Sequence, residues 1–139
     1  MTLKAFVLVS LILLLNFLVV STLTVAGKLE CCVSNKTPCD IYRKPTNVVI
    51  YEKHRIRRNK PLSSALSDPS TGNFAVTSTL PGSSRAYVQI EHSCNAKPGC
   101  RRLLKFDVPD VFVKRGWTFS ITHLNLRNPF HGSNTDICK

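Results

Sequence analysis

The chain has 139 residues, with 19 lysine and arginine residues against 8 aspartate and glutamate residues, and its formal net charge is +11. This length excludes a large multidomain protein and allows one domain with an adequate hydrophobic core. The excess of positive charge favours anionic partners, namely acidic glycans, phospholipid head groups or nucleic acid.

The first 27 residues are typical of a secretory signal peptide. Lys4 gives the segment a charged start, a long apolar run follows from Ala5 to Val20, and 24–27 supplies small residues at which cleavage is expected. An uncleaved signal anchor is the alternative, because about 20 apolar residues can span a bilayer. We expect cleavage, which leaves a mature domain at 28–139 that is secreted to the extracellular space and is not inserted in a membrane.

Export narrows the choice of partners. Lys4 is the only charged residue among residues 1–27, so removal of the leader lowers the net charge only from +11 to +10. Nucleic acid is then the least favoured partner, and we expect an extracellular protein or an anionic surface made of lipid head groups or acidic glycans. The sequence indicates no cofactor and leaves the oligomeric state open.

All the cysteines lie in the mature segment. An even number of cysteines in a short exported chain favours disulfide bonds over catalytic or metal-bound thiolates. Six cysteines allow 15 pairings, and the sequence does not choose among them. The cysteines are Cys31, Cys32, Cys39, Cys94, Cys100 and Cys138.

The first predicted strand begins at Leu29, where apolar and polar residues alternate as far as Ser34. It stops before Pro38, which cannot donate to a strand ladder. The sequon Asn35-Lys36-Thr37 lies at this end of the strand. Export makes N-glycosylation of Asn35 chemically possible, and an unmodified turn asparagine is the alternative.

A second strand, rich in β-branched residues, is predicted at Asn47–Glu52, and a dense run of positive charge follows it. This run is either a solvated strand edge, where lysine opposes edge-to-edge pairing, or an anion-binding patch whose attraction salt would screen. Its basic residues are Lys53, Arg55, Arg57, Arg58 and Lys60.

Further strands are predicted around turn residues. A turn at 69–72 precedes a strand that starts near Phe74, and the segments 86–91 and 104–108 alternate in polarity on either side of a loop bounded by two cysteines. A last strand is predicted from Trp117 to Leu126. Its apolar phase shifts near 122–123, which indicates either a bulge or a strand that becomes buried on both faces. Seven or so short strands separated by turns predict a β-sandwich.

The central segment also carries a motif, which reads H-S-C-N at 92–95, C-R-R at 100–102 and V-P-D-V-F-V at 108–113. It resembles the signature of the nematode transthyretin-like family, a group of small secreted proteins. The resemblance implies an all-β, transthyretin-like (prealbumin-like) sandwich of two sheets, stabilised by disulfides, with at most one short helix. Cys32, Cys39 and the segment after them depart from the family pattern and leave that connection open.

No catalytic activity is expected. The chain contains no nucleophile elbow such as G-x-S-x-G that could work with a histidine base. Hydroxyisourate hydrolases of the transthyretin fold end in a Y-R-G-S type tail, whereas this chain ends T-D-I-C-K. The histidines that an enzyme could use are His54, His92, His123 and His131.

Metal and hormone sites are not expected either. His92 lies two residues before Cys94, so a zinc site is conceivable, but a cysteine in a disulfide cannot supply a thiolate ligand. His92 is therefore interpreted as a structural or capping residue. The sequence does not match by motif the residues that bind thyroid hormone in vertebrate transthyretins.

These observations predict a secreted, non-catalytic transthyretin-like binding protein whose partner is a protein or an anionic cell-surface or lipid ligand. One alternative is a degenerate or cryptic hydroxyisourate-hydrolase-like enzyme, which a pocket that groups His92, His123 or His131 with an arginine would favour. The other alternative is a cationic secreted effector or antimicrobial protein.

Overall fold

A computed structural model describes residues 2–17, 20–33, 39–129 and 132–139. Asn35 and His131 lie outside the described residues, so N-glycosylation of Asn35 stays a prediction. The described helices are α1 (Leu3–Phe17) and α2 (Asp110–Arg115). The described strands are β1 (Val20–Cys31), β2 (Asp40–Ile41), β3 (Asn47–Lys53), β4 (Lys60–Leu66), β5 (Asn73–Pro81), β6 (Arg85–His92), β7 (Cys100–Asp107), β8 (Thr118–Asn125) and β9 (Ser133–Cys138).

The strands form two sheets, which are the two layers of a β-sandwich. In the four-stranded sheet, β1 pairs with β5 in antiparallel orientation and with β8 in parallel orientation, and short β2 pairs with the end of β1. The five-stranded sheet is antiparallel and has the order β4-β3-β6-β7-β9. The predicted all-β, two-sheet sandwich is confirmed.

The hydrophobic core fills the space between the sheets. Along β5 every second residue is buried, from Phe74 through Val76 to Leu80, as the period of two in the sequence requires. The five-stranded sheet contributes Ile90 and Leu104, both fully buried. Burying side chains of this size stabilises the fold by about 1.5–3 kcal/mol each.

All six cysteines are paired in disulfides. Cys31, at the end of β1, is bonded to Cys94 in the turn after β6, so this disulfide joins the two sheets. Cys100 and Cys138 are directly opposite each other on β7 and β9 and form a cross-strand disulfide. The third disulfide, between cysteines 32 and 39, closes the short connection that precedes β2.

Four strands differ from the sequence prediction. β1 begins at Val20 instead of Leu29, because its first eight residues lie within the segment that the composition assigns to a leader. β2 and β4 were not predicted, since β2 has only two residues and the sequence of β4, K-P-L-S-S-A-L, does not alternate in polarity. No strand was predicted after Leu126, but Ser133–Cys138 pairs with β7 as an edge strand, β9.

Two smaller predictions are confirmed. The short helix that the family resemblance implied is α2, whose C-cap residue Gly116 has the left-handed conformation that favours glycine. The bulge near 122–123, one of the two alternatives, is present, because Gly27 pairs with Ile121 whereas Leu29 pairs with Leu124. β8 therefore contains one residue more than β1 over this stretch.

Helix α1 occupies most of the apolar run at the start of the chain. Across the described residues, no helix combines the length and the apolar character that crossing a membrane requires.

Candidate functional site: a basic loop at the edge of the larger sheet

The basic run predicted from the sequence forms the connection between β3 and β4, at one edge of the five-stranded sheet. We call Lys53–Lys60 the basic loop. The amide N–H of His54 donates to Asn59 Oδ1 at 2.9 Å, which ties the two ends of the loop together. The His54 ring lies back against β3, with Nε2 at 3.2 Å from Glu52 Oε1. The loop therefore projects from the sheet as a closed hairpin.

The charges of the basic loop are exposed to solvent and are mostly uncompensated. Among the described residues, no carboxylate lies within 4.0 Å of Arg55, Arg57 or Arg58, and all three side chains are exposed. Lys53 is the exception, because its Nζ lies 3.5 Å from Asp107 Oδ1 on β7. The loop thus presents a cluster of cations in solvent, where an anion could approach them.

An apolar side chain stands in the middle of this cluster. Ile56 is 99% exposed and is flanked in sequence by Arg55 and Arg57. A single exposed apolar residue is ordinary on a protein surface. Ile56 lies at the tip of the cationic hairpin, so an apolar side chain and positive charges are exposed side by side.

A groove of about 530 Å³ begins at the base of the basic loop and runs over the outer face of the five-stranded sheet. Tyr87 forms part of its floor and stacks on Tyr51, with ring centroids 5.1 Å apart. Lys105 Nζ lies 5.8 Å from the centroid of the Tyr87 ring. The polar lining residues include Lys53, Asn59, Lys105, Asp107 and Ser133.

The structure thus places all five basic residues of the prediction on one loop and adds neighbours that the sequence analysis missed. Lys105 belongs to the groove because β7 pairs with β6 in a register that sets Lys105 opposite Gln89, near Tyr87. The alternation of β7 predicts that Lys105 points away from the core. The alternation of polarity in β7 does not, however, give the strand register that places Lys105 in the same groove as Lys53.

His92 is a structural residue. Its side chain is buried, and the amide of Asn134 on β9 lies beside it, with Oδ1 at 2.9 Å from Nε2. Asn134 Nδ2 donates to the Leu126 carbonyl, so Oδ1 is left to accept from His92 Nε2–H. His92 Nδ1 then accepts from the amide N–H of Cys94. This hydrogen-bond network assigns the neutral Nε2–H tautomer to His92.

Burial lowers the pKa of His92 below its ordinary value of 6.5, and the nearby positive charge of Arg102 acts in the same direction. The hydrogen bond with Asn134 opposes this shift but does not overcome it. His92 is therefore neutral at physiological pH, as its hydrogen bonds require.

The other residues of the motif are also structural. Ser93 Oγ lies 3.0 Å from the Tyr42 hydroxyl and accepts from Lys44 Nζ at 3.0 Å, which attaches the connection between β2 and β3 to the turn after β6. Cys94 forms the disulfide between the sheets, and Asn95 has a φ of 53°, a left-handed conformation that asparagine tolerates in turns. The motif therefore holds the sheets and turns together.

The described histidines do not converge on one site. His123 lies on the four-stranded sheet, with Nδ1 at 2.9 Å from Glu30 Oε1, whereas His92 lies at the end of β6 in the other sheet. Over the described parts of the chain, no group of three or more histidine, cysteine, aspartate or glutamate side chains is placed to hold a metal ion. Cys94 was considered as a zinc ligand together with His92, but it forms a disulfide with Cys31.

Comparison with known families gives one match. The model of the transthyretin-like family (TTR-52) matches residues 27–109, which is more than half of the chain. No curated protein matches the sequence. The match covers β2 to β7, and with them the basic loop and the H-S-C-N motif. The chain belongs to the transthyretin-like family.

Proposed function

We propose that this protein is a secreted, non-catalytic binding protein that attaches to anionic surfaces through its basic loop. The observation that carries the proposal is the exposed cluster of Arg55, Arg57 and Arg58, which have no carboxylate partner within 4.0 Å among the described residues. The attraction acts through charge, so it extends over a Debye length of about 8 Å at physiological ionic strength and shrinks in higher salt.

Secretion is supported by two features of the chain. The N-terminal segment has the charge, apolar run and small residues of a signal peptide. The three disulfides are typical of proteins that mature in an oxidising compartment. In this proposal the disulfides stabilise a small domain outside the cell, where its charge meets anionic surfaces.

Ile56 favours a phospholipid bilayer over a soluble polyanion as the surface. In a bilayer, arginine side chains bind phosphates at the head-group level while an apolar residue between them enters the acyl boundary. Burying an isoleucine side chain in this way contributes about 1.5–3 kcal/mol, and each basic residue near an anionic leaflet contributes about 1 kcal/mol. An acidic glycan would use the arginines but would not bury Ile56.

The proposal is tested by sedimentation of the oxidised, secreted protein with vesicles of phosphatidylcholine, with and without phosphatidylserine. We expect binding to the anionic vesicles only, and loss of that binding in about 1 M salt, where the Debye length falls to about 3 Å. Replacing Arg55, Arg57 and Arg58 by glutamine should weaken binding by about a hundredfold, since three charges contribute about 3 kcal/mol.

A matched control removes three exposed positive charges elsewhere, at Arg43, Lys97 and Lys114. This control has the same net charge as the loop variant, so equal losses from both variants would contradict a role for the basic loop. An Ile56→Ser variant separates the two kinds of surface, because it should weaken binding to vesicles about tenfold or more and leave binding to heparin unchanged. Heparin binding without vesicle binding would identify an acidic glycan as the partner and would reject the bilayer.

A further inference from the structure

The sequence and the fold assign residues 20–27 in two different ways. By composition this segment ends the leader, with cleavage expected near Gly27. In the structure the same residues form the first eight positions of β1, the strand that lies between β5 and β8. The segment cannot be both removed during export and retained in the folded domain.

Most of the strand pairing in the four-stranded sheet involves residues 20–27. β1 and β5 form nine residue pairs, from Val20 opposite Pro81 to Lys28 opposite Asn73, and eight of them involve residues 20–27. Four of the six pairs between β1 and β8 also lie there. Cleavage after Gly27 would leave β5 and β8 without the strand that joins them, and each would have an unpaired edge.

The core depends on the same residues. Leu23 and Val25 are fully buried in the cluster between the sheets. Gly27 is fitted closely to its surroundings, since a Cβ atom added to it would lie 2.5 Å from the Ile121 carbonyl oxygen and 3.0 Å from the Phe74 ring. A chain that began at Lys28 would lose two core side chains and the close contact of β1 with β8.

We propose that the leader ends at Ser21 and that the mature protein begins at Thr22. This inference rests on the secretion proposed above. A signal peptidase would add water across the Ser21–Thr22 peptide bond, leaving a carboxylate on Ser21 and an ammonium group on Thr22. Such enzymes require a small residue on the leader side of the bond, and Ser21 has the smallest side chain between Phe17 and Thr24.

Cleavage at this bond keeps most of the strand pairing in the sheet. Seven of the nine pairs with β5 and all six pairs with β8 are retained in a chain that begins at Thr22. The Ser21 hydroxyl donates to the Val113 carbonyl in the last turn of α2, so the new ammonium group of Thr22 forms next to that helix end. A positive charge is favourable at the C-terminus of a helix, because the peptide dipoles give that end a partial negative charge.

The test is to express the full chain in an animal cell line and to determine the N-terminus of the protein in the medium by intact mass and N-terminal sequencing. We expect Thr22. A secreted protein that begins at Gly27 or Lys28 would overturn this inference and leave secretion standing. Retention of the uncut chain in the cell would overturn both secretion and the cleavage.

A full-chain variant, Ser21→Arg, provides a second measurement. If the Ser21–Thr22 bond is the cleavage site, arginine on its leader side should abolish the product that begins at Thr22. If cleavage occurs after Ala26 or Gly27, the variant should release a protein of unchanged mass in unchanged amount, and that result would contradict the inference. Ser21 is absent from the mature protein in both cases, so the variant tests cleavage and not folding.

Discussion

At the scale of single residues, the buried polar groups show what the family motif does. His92 is 1% exposed, donates to Asn134 on β9 and accepts from the amide of Cys94. Protonation of Nδ1 would turn this acceptor into a donor facing an N–H group, and it would place a charge in the core. The folded state therefore favours neutral His92.

This preference predicts a pH dependence of stability. The pKa of His92 is lowered in the folded protein relative to 6.5 in the unfolded chain, so the unfolded chain binds the proton more strongly. The free energy of unfolding should consequently fall as the pH drops from 7.5 to 5.0. Urea unfolding at the two pH values measures the change, which should be smaller in a His92→Gln variant.

The pH window separates His92 from Asp68. Hydrogen bonds from Ser70 lower the pKa of Asp68 below 3.8, so Asp68 stays ionised at pH 5.0 and contributes no change in this range. An equal loss of stability in the wild type and in the His92→Gln variant would assign the pH dependence to other groups.

Gly27 gives a second test at this scale, in the mature protein that begins at Thr22. A methyl group at this position would meet the Ile121 carbonyl oxygen of β8 at 2.5 Å, so the two strands would have to separate. We expect Gly27→Ala to lower the free energy of unfolding by about 1–3 kcal/mol. Ser120→Ala, at an exposed position of β8, is the control and should change it little. Equal unfolding curves for the two variants would contradict the close fit of β1 to β8.

At the scale of elements, the three disulfides differ in the length of chain that they close. Cys31 and Cys94 are 63 residues apart and Cys100 and Cys138 are 38 apart, whereas the third pair, cysteines 32 and 39, is only 7 apart. In the chain-entropy account, a longer closed loop removes more freedom from the unfolded chain. The two long-range disulfides should therefore stabilise the fold most.

Replacing each pair by serine tests this order. We expect losses of about 4 kcal/mol for either long-range disulfide and about 2.5 kcal/mol for the short one, as measured by denaturant unfolding. Hydrogen exchange should show that loss of the disulfide between β7 and β9 frees the amides of β9 first, because β9 is a mostly exposed edge strand. An equal or larger loss for the short disulfide would contradict the entropic account.

Some of the strands could be predicted from the sequence and others could not. β5, β6 and β7 alternate clearly in polarity because one face of each is buried, and their period of two was sufficient to predict them. β9 could not be predicted, because five of its six residues are exposed and the strand is held by a disulfide and by Asn134. The start of β1 was missed because its first eight residues were assigned to the leader, whose small residues at 24–27 suit a cleavage site.

The candidate site was predictable to a similar extent. The basic loop is contiguous in sequence, so its charge and its place after a strand were visible without a structure. The groove was not visible, because Lys53 on β3, Tyr87 on β6 and Lys105 on β7 are brought together by strand pairing across three strands. Pairing of this kind depends on long-range contacts that a local pattern does not specify.

At the scale of the whole molecule, a stable sandwich presents a cationic loop at one edge of its larger sheet. Pairing of β3 with β4 and β6 fixes the two ends of the loop, while residues 55–59 between them remain exposed. Positive charge outside the loop adds a long-range attraction. Among the described residues, however, the basic loop alone combines several unpaired arginines with an exposed apolar side chain. Binding should therefore depend on the loop more than on net charge.

The most direct test of this account is the fluorescence of an Ile56→Trp variant, recorded as the difference from the wild type so that the single native tryptophan, Trp117, is subtracted. If the basic loop enters an anionic bilayer, the difference spectrum should shift to shorter wavelength with phosphatidylserine vesicles, and the shift should disappear in high salt. No shift with anionic vesicles, or an equal shift with phosphatidylcholine alone, would contradict the binding of anionic surfaces through the basic loop.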